Sequence, residues 1–281
     1  MRAVTRGTCL RRHRRHIGSA LAGALALGLL LWAQSLGAGP APALPGGLAP
    51  GGAAAVAEVI DGDSLTLSDG RTIRMVGIQA PKLGKGRPDF PDWPLSHEAR
   101  STLEELAAGK SVTLAYGGAH EDRFGRVLAQ LAREDGLWLQ GEMLRQGLAR
   151  VYTFPDNRAA AAEMLVLERE ARAARRGIWA DPYYAVRKPE EALRYAGRFE
   201  LVEGRIVTVA RNDAGVFLNF GADWHTAFTL RLRADALKLF RAAKLDPLTL
   251  EGADVRVRGY IRRDRDRAVI DITHPEEIER L

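Results

Sequence analysis

The hydrophobic pattern divides the chain into stretches of different period. Ala20 to Trp32 is an uncharged apolar core, and residues 37–55 are almost wholly Gly, Ala and Pro. From Val56 the pattern shortens to period two, with Val59, Leu65 and Leu67 apolar around the polar break Asp61-Gly62-Asp63. That reads as strand, tight bend, strand. Asp69-Gly70 is a hairpin-type turn and Arg71–Ile78 the returning strand. Ser111–Tyr116 and Val127–Leu131 are further short strands. Helical spacing appears over Glu98–Ala108 (Leu103 and Leu106 inward), Leu137–Leu148 (Met143, Leu144 and Leu148 inward) and Asn157–Arg176. Short strands followed by a helix, then a helical tail, predict a small barrel with helices packed on it.

Beyond a connector at 183–198 the alternation resumes. Phe199–Val209, Gly215–Phe220, Thr226–Leu232, Val255–Ile261 and Ala268–Ile272 read as five strands, with a helix over Ala234–Ala243 between the third and fourth. That order matches a five-stranded oligonucleotide-binding barrel. The fold class expected is therefore mainly β with α: a barrel with packed helices at 56–182, then a second five-stranded barrel at 199–281.

Charge alters the functional reading. The formal net charge is +6, but six arginines lie in residues 1–16, and residues 17–57 carry no charge. From Glu58 onward 35 basic residues face 35 acidic ones. The excess belongs to the leader, so pI assigns no partner to the folded part. At 46% hydrophobic and 27% charged, the composition excludes a disordered chain. The single cysteine, Cys9, sits in the leader, which leaves the rest with no disulfide, thiol nucleophile or cysteine zinc site. His97-Glu98 opens like a zinc-protease motif, but Ser101 stands where the second histidine belongs.

An arginine-rich start followed by an apolar core is the pattern of a bacterial export signal. Residues 1–36 are read as a signal peptide, or alternatively as an uncleaved anchor touching the membrane through that segment alone. Either reading exports the domains, to the periplasm or the medium. Residues 37–55 are read as a flexible linker.

The residues of the first domain carry a resemblance. Val59-Ile60-Asp61-Gly62-Asp63-Ser64-Leu65, Ile73-Arg74-Met75-Val76-Gly77-Ile78-Gln79-Ala80-Pro81, Asp122-Arg123-Phe124-Gly125-Arg126, Leu144-Arg145-Gln146-Gly147-Leu148-Ala149 and Gly177-Ile178-Trp179 occur in this order. Over about Val56 to Asp181 the chain resembles staphylococcal-nuclease-like (thermonuclease family) domains. The resemblance implies a five-stranded oligonucleotide-binding barrel with three helices, and hydrolysis of DNA and RNA with one calcium ion. It implies that Asp63 is the metal ligand, with Asp61 in support, and that Arg74 and Arg126 clamp the scissile phosphate. Arginine suits that role because its planar fork holds two phosphate oxygens at once.

One segment departs from the family pattern. Where the family has aspartate-threonine-proline-glutamate, this chain has Gln79-Ala80-Pro81-Lys82. Gln79 offers the metal a neutral oxygen, and Lys82 replaces the general base with a cation that, when protonated, has no lone pair. Calcium affinity should fall steeply, because coordinating charge sets it. Two readings follow. Asp63, Arg74, Arg126 and Lys82 form a phosphate-binding site that cuts poorly or not at all, or another carboxylate, Asp89 or Asp92, replaces the base. Arg74 and Lys82 also admit a plainer role, neutralising the aspartate turn without any metal. The alternative to a nuclease is a noncatalytic nucleic-acid- or protein-binding module of the cell envelope.

In the second domain Arg256, Arg258, Arg262 and Arg263 cluster on one hairpin beside Tyr260. Cations with aromatic faces are the recipe for binding single-stranded DNA or RNA. Over 191–281 the 16 basic residues are matched by 15 acidic ones, so a solvated hairpin explains the cluster nearly as well.

Overall fold

The computed structural model describes residues 43–281; the expected export signal lies outside them. Among the described residues no helix is long and apolar enough to cross a membrane.

Five strands close the first barrel: β1 (Ala49–Asp61), β2 (Ser64–Leu67), β3 (Thr72–Met75), β5 (Ser111–Tyr116) and β6 (Val127–Arg133), in the order β1-β2-β3-β6-β5. β4 (Gly77–Gln79) leaves the barrel and pairs with β7 (Arg150–Tyr152). The helices α1 (Ser96–Ala107), α2 (Leu139–Arg145) and α3 (Ala161–Ala173) lie within the stretches their spacing predicted, allowing for ragged ends. The period-two alternation sends Leu65, Ile73, Met75, Leu114 and Leu131 into one core with Leu103 and Met143 of the helices. Burying each such side chain contributes roughly 1.5–3 kcal/mol.

The linker reading needs correction over its last part. β1 begins at Ala49, and Ala49–Ala55 pair with β5 in the register Ala49↔Tyr116 to Ala55↔Ser111. Small residues there do not oppose strand formation; the ladder with β5 satisfies their backbone groups.

The second half is strand-rich, as expected, but holds seven strands. They are β8 (Phe199–Arg205), β9 (Thr208–Asn212), β10 (Gly215–Asn219), β11 (Thr229–Leu232), β12 (Asp254–Asp264), β13 (Arg267–Ile272) and β14 (Ile278–Arg280). The order is β14-β12-β13-β11-β10-β9, with β8 also on β12. α4 (Ala234–Ala242) follows β11. The expected first strand is broken because the chain changes partner: Ile206 N–H donates to Ala253 O, and Val207 N–H to Asn219 O. The sheet has its own core, including Val202, Leu218, Leu230, Phe240, Val257 and Ile270.

Both halves belong to one compact unit. Arg258 on β12 is 1% exposed and reaches Glu168 of α3 at 2.9 and 3.0 Å, while also bonding Glu279 of β14. Glu168 accepts the Val151 N–H as well, at 2.6 Å. Thr153 and His274 Nε2 meet at 2.7 Å, and Tyr152 packs edge-on against Phe199.

Candidate functional site

The Asp61-Gly62-Asp63 bend joins β1 to β2 and turns inward. Asp63 N–H donates to Asp61 Oδ1 at 3.0 Å. A side chain at Gly62 would come within 2.6 Å of Ala80 Cβ and 2.8 Å of Ala99 Cβ, so only glycine lets the bend press onto α1. The result is a fully buried Asp63 carboxylate.

That carboxylate is surrounded by donors. Lys82 Nζ lies 2.7 Å from each of its oxygens. The Ala80 N–H donates to Oδ2 at 2.8 Å and the Ser64 hydroxyl to Oδ1 at 3.1 Å. Arg74 Nη1 is 3.3 Å from Oδ1. Burial alone would raise the Asp63 pKa, but the Arg74 and Lys82 charges overcome it and hold the group far below the usual carboxylate range. Asp61 is raised, first by burial and then by the Asp63 charge; Lys82 Nζ stands 3.6 Å from its Oδ2.

The other expected site residues are also engaged. Arg74 donates to the carbonyls of Met75 (2.6 Å), Ile78 (2.5 Å) and Asp63 (3.3 Å). Gln79 Oε1 accepts from Arg150 Nε and Nη2 at 3.0 and 2.7 Å. Arg126 binds Asp122 Oδ2 through Nε (2.8 Å) and Nη2 (2.7 Å), and Asp122 also accepts the Phe124 and Arg126 N–H groups. The parallel register pairs Arg74 with Leu128 of β6, and Arg126 lies two residues earlier, in the loop just before that strand. Phe124, at the tip of this loop, is 68% exposed, with the Arg123 and Arg126 guanidinium carbons 4.7 and 5.6 Å from its ring centre.

Asp92 does not reach the Asp63 cluster. It accepts the Gly84 N–H at 2.5 Å and meets His97 at 2.8 Å, tying its own loop. Asp89 is exposed and makes no bond to the cluster. Glu98 stands in the first turn of α1, where an acid complements the helix dipole. Arg150 was missed in the sequence: it is 5% exposed, holds Gln79, and packs 4.7 Å from the Phe199 ring centre. The signal the sequence offers is a lone cation within the apolar run Leu148-Ala149-Arg150-Val151.

The donor set does not fit calcium. A hard dication needs several oxygens, preferably charged. Here the Asp63 oxygens face an ammonium, a guanidinium and an amide N–H, and the Gln79 oxygen is committed to Arg150. Among the described residues no three His, Cys, Asp or Glu side chains gather around one point.

The hairpin of the second half also requires a correction. Arg258, read as a nucleic-acid contact, is buried between the two halves on Glu168 and Glu279. Arg256 pairs with Glu203 at 2.7 Å and Arg262 with Asp271 at 2.9 Å. Tyr260 is half exposed, and Arg263 is exposed.

The model of the family described as "Staphylococcal nuclease homologue" matches residues 72–181. A protein of Escherichia coli named "Uncharacterized endonuclease" is 35% identical over 129 residues, which is 45% of this chain and 76% of that protein. The chain belongs to the staphylococcal nuclease homologue family. A thermonuclease of Staphylococcus intermedius is 29% identical over 132 residues, 44% of this chain and 74% of that one. A probable staphylococcal-like nuclease of Oryza sativa subsp. japonica is 38% identical over 108 residues, 38% of this chain and 26% of that one. The staphylococcal nuclease homologue part carries the closed barrel from β3 onward and all three of its helices.

Proposed function

We propose that this chain is a noncatalytic nucleic-acid-binding member of a family whose general activity is nucleic-acid hydrolysis. The observation that carries the reading is Lys82 Nζ at 2.7 Å from both Asp63 oxygens. The ammonium stands where family members are expected to place calcium, and no carboxylate stands where they place the base. General-base catalysis alone is worth roughly 10²–10⁴ in rate. The contact left for a nucleic acid on this barrel is the β5–β6 loop, where exposed Phe124 presents a stacking face between Arg123 and Arg126.

The test uses labelled single-stranded DNA and RNA, with calcium and with chelator. The reading expects no cleavage above a protein-free control, and salt-sensitive binding that weakens in Phe124→Ala and Arg126→Ala. Calcium-dependent cleavage abolished by Asp63→Ala would restore the nuclease reading. Loss of binding in neither variant would remove this loop as the contact. We further propose that the arginine-rich leader exports the protein to the periplasm or medium, or anchors it on the outer face of the inner membrane. Cell fractionation that finds it wholly in the cytoplasm contradicts this.

A further inference from the structure

At one end of the second sheet the β9–β10 turn, the end of β11 and α4 enclose a concavity of about 910 Å³. Its lining carries Arg211, Arg231, Arg233, Lys238 and Arg241 against one acid, Asp213. Arg231 is paired with Asp271 at 2.5 Å, and Lys238 with Asp235 at 3.0 Å. Arg211, Arg233 and Arg241 are exposed and have no ion-pair partner among the described residues, unlike Arg256 and Arg262 on the hairpin. The shape is fixed by the backbone. Gly215 opens β10 at φ +136°, and a Cβ there would lie 2.2 Å from the Leu232 carbonyl oxygen, so the turn is pressed against the base of α4. A second hollow of about 370 Å³ continues from the first through Arg211, Leu237 and Arg241, and its far wall includes Leu245 and Leu248. Those leucines are 52% and 39% exposed.

The geometry points to a trough for the phosphodiester backbone of a nucleic-acid strand, with Arg211, Arg233 and Arg241 as its phosphate contacts. This rests on the nucleic-acid-binding reading and gives it a second, larger surface. Guanidinium forks match phosphate oxygens in pairs and are less strongly hydrated than ammonium groups. Two hollows in series suit a linear polyanion, and the apolar wall offers contact to sugars and bases. A flat bilayer would be met by protruding groups, whereas the arginines here line a depression.

The test is fluorescence anisotropy of a labelled oligothymidylate on the full protein, as a function of salt. Four proteins are compared: wild type, Arg211→Ala/Arg241→Ala, Arg233→Glu, and the barrel-loop variant Phe124→Ala/Arg126→Ala. The trough variants alter exposed side chains, and their thermal unfolding should match wild type. Each trough variant should bind at least tenfold more weakly at 100 mM salt, and the double variant should flatten the log–log salt slope by roughly 1.4, about 0.7 for each phosphate no longer neutralised. Wild-type binding reduced only by the barrel-loop variant overturns the trough and leaves the function standing. Absence of oligonucleotide binding in the wild type overturns both. Trough-dependent binding to phosphatidylglycerol vesicles without oligonucleotide binding assigns the arginines to lipid headgroups and likewise overturns the proposal.

Discussion

Lys82→Met keeps the length and packing of the side chain and removes the ammonium. Asp63 then remains fully buried with Ala80 N–H at 2.8 Å, Ser64 at 3.1 Å and Arg74 at 3.3 Å. Both 2.7 Å hydrogen bonds from Lys82 disappear. A hydrogen bond to a charged group is worth roughly 1.5–3 kcal/mol, and breaking a fully buried pair costs roughly 3–5 kcal/mol. Lys82 is 24% exposed and Arg74 survives as a countercharge, which places the loss at about 2 kcal/mol. Asp63→Asn removes the other partner, and the double variant has neither charge. The cycle of four proteins should therefore show a coupling of roughly 1–2 kcal/mol between positions 63 and 82. Urea unfolding followed by tryptophan fluorescence reads each midpoint. A Lys82→Met midpoint equal to wild type, or additive effects of the two changes, would refute the claim that Lys82 neutralises the turn.

Other expectations follow from the packing of the two halves. Arg258→Ala should cost about 3 kcal/mol in chemical denaturation, the low end for breaking a buried pair, because Glu168 keeps Arg172 at 2.7 Å and Glu279 keeps Arg169 at 3.3 Å, while exposed Arg263→Ala should stay within about 0.5 kcal/mol; equal costs would contradict the assignment. His274, wholly buried, is held down to about pKa 4, by burial first and then by Arg158 and Arg258. A base with a folded pKa below its unfolded one loses stability as pH falls, here from about 6.5 to about 4. Neighbouring Glu277, raised by burial to about 7, opposes this: its contribution is full below about 4.5 and is lost as pH rises toward 7. Replacing His274 by Gln should therefore shift stability relative to wild type in the variant's favour by up to about 3 kcal/mol between pH 7 and pH 4. A pH-independent difference in urea midpoints would show that His274 is not buried neutral.

The barrel was legible because its information is local. Period-two strands around Asp61-Gly62-Asp63 and Asp69-Gly70, and the helical spacing of α1 to α3, each declare themselves within a dozen residues. The departure at Gln79 and Lys82 was equally visible, since charge at a named position needs no structure. What sequence did not disclose depends on which distant groups meet. Arg258 alternates with Arg256 and Tyr260 as though on a solvated hairpin, yet faces Glu168 some ninety residues away. Arg150 resembles any strand residue until Gln79 is placed opposite it. Ala49–Ala55 have the composition of a linker and become strand only through the edge that β5 offers. The basic trough combines a turn, a strand end and a helix, none of which is arginine-rich enough to stand out alone.

Calorimetric titration of the protein with calcium at neutral pH, beside Gln79→Asp/Lys82→Glu, tests the central claim most directly. The wild type should give no binding heat up to about 1 mM calcium, the weak end of known protein sites, while the double variant, with two carboxylates restored, should bind in or below that range. Stoichiometric micromolar binding by the wild type, abolished in Asp63→Ala, would mean that Lys82 yields to calcium and that the site is a working metal centre.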